Sequence, residues 1–514
     1  MSQTFIGMPG VVSDDANAQA HTGGWRTTVS IPEDTLRWGP TFPEGAHKTL
    51  ANTQMRRNLG HATRTIRTKR GQRVAEMPDW EDLRNAAEAV KFEVESRMPE
   101  LLEEFERNVT ARGGIVHWAR DKHEANRIVA DIIKSKGVDE VVKVKSMATQ
   151  ETNLNEYLKD QGIHARETDL AEMIVQLADD MPSHIVVPAI HRNRSEVRGI
   201  FLDRMEDAPR DLSDDPTELT AAARSHLRKK FLHAKVAVSG TNMGIAETGT
   251  VSIFESEGNG RMCLTLPDTL ISLVGIEKVL PSYDDLEIFL KLLPRSATGE
   301  RMNPYNSVWS GVTPNDGPQE QHVIFMDNGR TNVLADPVGR EVLRCIRCAS
   351  CINVCPVYER AGGHAYGSVY PGPIGITLTP QLRGIDDPVD RTMPYACSLC
   401  GACNEVCPVK IPFTDIIVHL RNRVADAERK ELSKDVDVNG EKVIMKAAAW
   451  VLGDYKHWET VMYASRSASR VLGPHKIGPL PVPVANRWLD YRNIDHIPSQ
   501  TFRDWWKANR GEEK

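Results

Sequence analysis

The chain opens without a periodic pattern: residues 1–52 are rich in Gly, Ser, Asp, Thr and Pro and predict an irregular arm. Residues 53–76 predict a helix with a basic face bearing Arg56, Arg57, Arg64, Arg67, Lys69, Arg70 and Arg73. Asp79 to Arg107 is a long helical pattern of mixed charge. Strand and helix signals then alternate. Gly113–Ala119, Val138–Lys145 and Ile163–Thr168 read as strands, and Asp121–Lys136, Thr149–Lys159 and Asp169–Leu177 as helices. His184-Ile-Val-Val-Pro-Ala-Ile190 is a nearly continuous apolar run, the form of a buried parallel strand. Thr217–Phe231 is a helix, and Ala234–Val238 and Gly249–Phe254 are strands flanking a Gly-rich turn. This alternation predicts an α/β layer with a mostly parallel sheet.

Between Leu293 and Gly317 the composition turns to Pro, Gly, Asn and Ser, which places the end of the α/β domain there. Asp336-Pro337 caps a short helix, Val338–Leu343, and Ile411–Lys430 is strongly helical. From Val436 the tail is helical, then Pro-rich, and ends in Phe502-Arg-Asp-Trp-Trp506. The domains expected are an arm (1–52), an α/β domain with N-terminal helices (53–317), a mostly helical domain (318–430) and a C-terminal tail (431–514).

Composition narrows the class. At 514 residues, 40% apolar and 26% charged, the chain has the make-up of a globular protein of two or three domains. The net charge of −6 gives no global drive toward nucleic acid, and no aromatics interleave with the basic stretch. That stretch reads as a solvated face or a dock for an acidic partner. No apolar run is long enough to span a membrane, and the start has no basic segment followed by an apolar one. A cytoplasmic location is expected, with any membrane contact peripheral.

The chemistry concentrates in two cysteine runs. Cys345-Ile-Arg-Cys348-Ala-Ser-Cys351-Ile-Asn-Val-Cys355-Pro356 recurs as Cys397-Ser-Leu-Cys400-Gly-Ala-Cys403-Asn-Glu-Val-Cys407-Pro408. This is the bacterial-type spacing for [4Fe–4S] clusters, in which the fourth cysteine of each run serves the other cluster. The ligand sets expected are Cys345, Cys348, Cys351 and Cys407 for one cluster, and Cys397, Cys400, Cys403 and Cys355 for the other. Zinc usually takes separated C-x2-C pairs instead. Cys263, the ninth cysteine, lies in an apolar run and reads as a core thiol. Arg344 and Arg347 beside the first run, against Glu405 in the second, predict the higher potential for the first cluster.

The 41 residues between Cys355 and Cys397 exceed the spacer of a compact ferredoxin. A long spacer of this kind is similar to the α-helical ferredoxin domain of the succinate dehydrogenase and heterodisulfide reductase iron–sulfur subunits. Four further stretches resemble the lactate-utilisation (LUD) domain: Pro182 to Arg194, Gly240-Thr-Asn-Met-Gly-Ile-Ala-Glu-Thr-Gly-Thr-Val251 followed by Glu257-Gly-Asn-Gly260, Lys145-Ser-Met-Ala-Thr149, and Glu167-Thr-Asp169. With the cluster motifs and the Trp-rich tail, residues 55–510 resemble the iron–sulfur (B-type) proteins of lactate utilisation. The resemblance implies an α/β fold similar to the ribose-phosphate isomerase and CoA-transferase group. It also implies a role in NAD-independent oxidation of L-lactate to pyruvate. The partners implied are a cysteine-rich subunit similar to heterodisulfide reductase and a smaller LUD protein, with quinone a candidate acceptor. Another 2-hydroxy acid, such as glycolate, fits the same chemistry.

In the α/β half, the glycines of residues 240–260 permit close approach to a ligand, and Glu247 between them is a candidate catalytic carboxylate. The alternative is a hairpin turn with Glu247 bonded to backbone. Candidate substrate contacts are Lys145, Ser146, His184, Gly240, Asn242, Thr248 and Gly249; for His184 and His191 the alternative is a structural histidine. Neither a dinucleotide fingerprint nor a P-loop occurs, since Gly258-Asn-Gly-Arg-Met-Cys263 lacks the third glycine. Two rival readings stay open: a self-contained enzyme acting through Glu247 on an anionic or thioester substrate, with structural or regulatory clusters, and a non-catalytic iron–sulfur scaffold or redox sensor.

Overall fold

The computed structural model describes residues 36–432, 440–472 and 500–510, in two units that divide after Glu428. The first unit contains ten strands among its described residues: β1 (Ile115–Ala119), β2 (Glu140–Lys143), β3 (His164–Glu167), β4 (Val236–Ser239), β5 (Met243–Ile245), β6 (Thr250–Glu255), β7 (Thr269–Gly275), β8 (Val279–Leu280), β9 (Tyr305–Trp309) and β10 (Glu320–Met326). Six form a wholly parallel sheet in the order β1-β10-β7-β4-β2-β3. The other four form a smaller mixed sheet, β8-β5-β6-β9.

Helices cover both faces of the parallel sheet, so its central strands β4 and β7 are buried along their whole length and mostly apolar, with the Ser239 and Ser272 hydroxyls paired at 3.2 Å. Helix Lys122–Ser135 starts at Asp121, whose carboxylate caps His123 and Glu124, and buries Ala125, Val129 and Ile133 against Val141 and Ile324. The long helix Trp80–Ala111 lays Met98, Leu102, Phe105 and Val109 on the opposite face, where the Phe105 and Phe325 rings meet edge to face at 5.1 Å. Burying a side chain of this size stabilises by roughly 2–3 kcal/mol.

The cluster half is built from short helices around the buried helix Gly372–Arg383. It shares one core with the α/β half: Ile245, Leu280 and Phe289 belong to the same apolar cluster as Tyr358, Ile374 and Leu420. The basic helix, Thr53–Ala75, turns part of its charge inward. Arg67 pairs with Glu359 at 3.1 Å and Arg70 donates to the Val406 carbonyl at 3.0 Å, while Arg57, Arg64 and Lys69 stay exposed.

Four expectations change. The apolar run 184–190 is not a strand. Pro182 and Pro188 remove two backbone donors, and the segment forms turns pressed on the cluster half, with Tyr358 donating to the Ser183 carbonyl at 2.8 Å. Residues 42–50 are a helix rather than an arm, capped by the reciprocal Thr41–Glu44 pair; residues 1–35 lie outside the described region. The α/β domain does not close at 317, because β10 sits inside its sheet; the Pro/Gly-rich stretch runs from the end of helix Tyr283–Ala297 through β9 into the β9–β10 connection. The residues after Asp336 form a 3-10 turn, Gly339–Arg344, with Asp336 accepting from Val338 and Gly339 at 3.0 Å each. The Pro-rich part of the tail (473–499) lies outside the described residues. No described helix is long and apolar enough to cross a membrane.

Candidate iron–sulfur centres and the cavity beside them

The two cysteine runs fold alike. Each takes left-handed backbone at matching positions: Arg347 (φ 62°) and Ala349 (φ 61°) in the first, Leu399 (φ 54°) and Gly401 (φ 79°) in the second. A residue with a Cβ is disfavoured there by about 1–2 kcal/mol, yet three of the four positions carry one. The turns aim successive thiols at one point and direct backbone N–H groups at sulfur: Arg347 donates to Cys345 Sγ (3.4 Å) and Leu399 to Cys397 Sγ (3.2 Å). Short helices, Ser350–Val354 and Ala402–Val406, then carry the chain to Cys355 and Cys407.

The fourth cysteines cross over. Cys407 joins Cys345, Cys348 and Cys351 in lining one small hollow. Cys355 lies within the electrostatic reach of Cys397 and Cys400, and Cys403 within that of Cys397, Cys355 and Cys400. Burial, then the neighbouring thiols, pushes Cys407 and Cys403 up to about 12 and Cys351 well above its ordinary value; burial pushes Cys355 up to about 11. Neutral thiols gain little by converging, whereas thiolates bound to iron are stabilised together. The donor set, the hollow and the paired turns therefore fit two cubanes.

The two centres differ in setting. The first is enclosed, and cations bind the carbonyls of its loops. Lys278 and Arg347 donate to the Cys345 carbonyl (2.9 and 3.2 Å), and Arg84 to that of Cys407 (3.0 Å). The second reaches the surface: Cys397 is half-buried and Cys400 exposed, with Arg421 donating to the Cys397 carbonyl at 2.8 Å.

Against the first centre lies a cavity of about 250 Å³. Its α/β wall comes from the carboxyl ends of β2, β4 and β7, where open parallel sheets place ligands. Lys145, Ser146, Gly240, Thr241 and Asn242 line that side, and Ile346, Arg347 and Tyr370 line the cluster side. Ile185, Ile346 and Arg347 also border the cysteine hollow, so a ligand here is one residue layer from the first centre. Gly240 is required by the crossing of two loops, since a Cβ there would stand 2.3 Å from Ser146 Oγ.

The floor is a buried ionic network. Arg330 pairs with Glu151 at 2.7 Å and Glu277 at 2.5 Å, Glu277 also takes Arg347 at 3.2 Å, and the Tyr370 hydroxyl donates to Glu151 at 2.9 Å. These cations hold Glu277 down at about 2 although burial opposes it. Two polar groups remain available. Lys145 donates to the Val186 carbonyl at 2.7 Å but meets no carboxylate within ion-pair distance among the described residues, and the buried Thr241 hydroxyl has no partner. At the rim, burial and then Asp169 raise the Glu257 carboxyl above its ordinary value.

Among the expected site residues, Lys145, Ser146, Gly240 and Asn242 meet in the cavity; Ser146 also caps helix Met147–Glu151, and Asn242 accepts from Phe254 N–H at 3.0 Å. Glu247, Thr248 and Gly249 do not line it. They form the β5–β6 turn, in which Glu247 is exposed and Gly249 buried; Glu247 accepts from Tyr283 N–H at 2.9 Å and so caps helix Tyr283–Ala297. His184 lies outside the cavity as well. Its Nδ1 accepts from Val186 and Val187 N–H, so Nε2 carries the proton and donates to Asn353 at 3.0 Å. Burial pushes it down to about 3, a neutral structural histidine. Thr241, Glu257, Glu277, Arg330 and Tyr370 escaped sequence reasoning. Only the Gly-rich context of Thr241 and Glu257 carried any signal.

A parallel-sheet crevice set against paired cubane sites defines an iron–sulfur redox protein with an adjoining cavity. Residues 102–327 match the LUD domain family, and residues 341–411 match the 4Fe-4S dicluster domain family. Lactate utilization protein B of Bacillus velezensis is 40% identical over 483 residues, covering 92% of this chain and 98% of that protein. The protein of the same description from Bacillus subtilis is 39% identical, covering 92% and 97%. An uncharacterized electron transport protein, YkgF of Escherichia coli, is 39% identical, covering 90% and 95%. The chain belongs to the lactate utilization protein B family, and its dicluster domain holds two [4Fe–4S] clusters.

Proposed function

We propose that this chain is the electron-transfer subunit of an NAD-independent complex that oxidises L-lactate to pyruvate; the names of its relatives support a part in lactate utilization. The observation that carries the reading is the cavity sharing Ile346 and Arg347 with the first cysteine hollow. When bound, the clusters supply one-electron acceptance and donation, and lactate oxidation releases two electrons and two protons. The ligands are Cys345, Cys348, Cys351 and Cys407 for the enclosed cluster, and Cys397, Cys400, Cys403 and Cys355 for the outer one.

This chain's own residues place the reactants. The Lys145 ammonium and the Thr241 hydroxyl are donors suited to the substrate carboxylate. Glu257, raised at the rim, is suited to take the hydroxyl proton. The enclosed centre faces the electron donor, and the exposed Cys397–Cys400 loop faces the acceptor. A heterodisulfide-reductase-like subunit and a smaller LUD protein complete the complex, with quinone as the final acceptor. The test is anaerobic: the co-purified complex is assayed for iron and recorded by EPR before and after L-lactate, glycolate or dithionite. About eight irons per chain and a lactate-induced reduced-cluster signal are expected. Reduction by dithionite but by neither hydroxy acid would sink the proposal; reduction by glycolate alone would change the substrate.

A further inference from the structure

Among its described residues, the C-terminal unit presents an exposed aromatic face. Among its residues with described side chains, 445–464 and 500–510, none is buried. Its last helix, Phe502–Arg510, sorts its side chains into two stripes. Phe502, Trp505 and Trp506 stand at i, i+3 and i+4, with Phe502 5.9 and 5.7 Å from the two indole rings. They are exposed, Phe502 by 70%. Beside them Arg503, Lys507 and Arg510 form a cationic stripe at i, i+4 and i+7. Arg510 lies 5.4 Å over the Trp506 ring, and Arg503 lies 4.6 Å over Tyr455 of helix Tyr455–Leu472. That helix leaves Trp458 and Tyr463 exposed as well.

Aromatic side chains left in water lose the burial that ordinarily stabilises a helical unit. What covers them must accept indole rings and cations side by side. The headgroup boundary of a bilayer does so: indoles settle at headgroup depth while Lys and Arg meet anionic phosphates. Charge points the same way. Residues 429–514 hold fifteen Lys and Arg against eleven Asp and Glu, in a chain whose net charge is −6. An anionic surface would attract this unit while the rest of the chain stays off it.

We propose that the Phe502/Trp505/Trp506 face rests on an anionic lipid surface, making the C-terminal unit a peripheral membrane dock. The inference does not depend on which hydroxy acid is oxidised.

The test uses the full-length protein with its clusters, kept anaerobic, in flotation with phosphatidylcholine vesicles with and without phosphatidylglycerol. Binding is expected only with the anionic lipid, weakening as salt rises, and with a blue shift of tryptophan emission. Lys507→Gln with Arg510→Gln should lower partitioning roughly 30-fold, about fivefold for each cation. Trp505→Ala with Trp506→Ala should abolish it. Iron content and circular dichroism confirm that each variant is folded. Failure of the wild-type protein to float with anionic vesicles overturns the proposal, as does binding that neither double variant changes. So does lipid-free retention of a partner protein by the wild-type chain but not by the tryptophan variant, which would assign the face to that protein.

Discussion

Replacing Arg347 with Gln should lower the potential of the enclosed cluster and leave the outer one nearly unchanged. The guanidinium donates to the Cys345 carbonyl and pairs with Glu277, both at 3.2 Å, and lies 4.8 Å over the Tyr370 ring. A unit charge at contact distance is worth about 4 kcal/mol at an effective dielectric constant of about 20, and about half that at twice the distance. Glu277 offsets part of this, but it is shared with Arg330 and neutralises Arg347 only partly. A net loss of about 1 kcal/mol remains, a fall of roughly 40 mV for a one-electron couple. The assay is an anaerobic redox titration followed by EPR, with Arg347→Lys as the charge-retaining control. The sign follows from electrostatics: adding an electron makes the cluster more negative, which a nearby cation favours. An unchanged enclosed-cluster midpoint in the Gln variant would refute the reasoning. So would an equal shift in the Lys control, because charge would then not be the cause.

Three further outcomes follow from the geometry. Cys407→Ala should disturb the enclosed cluster although Cys407 belongs to the second run, and Cys355→Ala the outer one; EPR of each variant distinguishes this from ligation within a run. Lys145→Met should raise KM for the hydroxy acid about 10–100-fold, the worth of a charged hydrogen bond, with kcat changed less and Arg restoring part of the loss. Gly249→Ala should destabilise the α/β half by roughly 3 kcal/mol, seen as a lower thermal midpoint, because φ is +62° and the added Cβ would stand 2.3 Å from Val109 N.

The clearest part of the sequence is also the most local. Within one C-x2-C-x2-C run the thiols converge through a few backbone turns, so spacing alone implies chelation. The alternation of strand and helix signals likewise implied the parallel sheet, since parallel strands need crossover helices between them. His184–Ile190 shows where that inference ends. An apolar run states that a segment is buried but not against what, and here the cluster half rather than a neighbouring strand covers it. The cavity was decided by tertiary structure alone. Glu151, Glu277, Arg330 and Arg347 have no shared motif, and Arg347 joins the other three only because the strand ends of one half meet the cysteine loop of the other. Glu247 makes the same point in reverse. Its glycine-flanked position suits a catalytic loop and a helix-capping turn equally well, and packing beside Tyr283 selects the cap. Short-range chelation and periodicity are written in residue order, whereas long-range pairing depends on how the two halves dock.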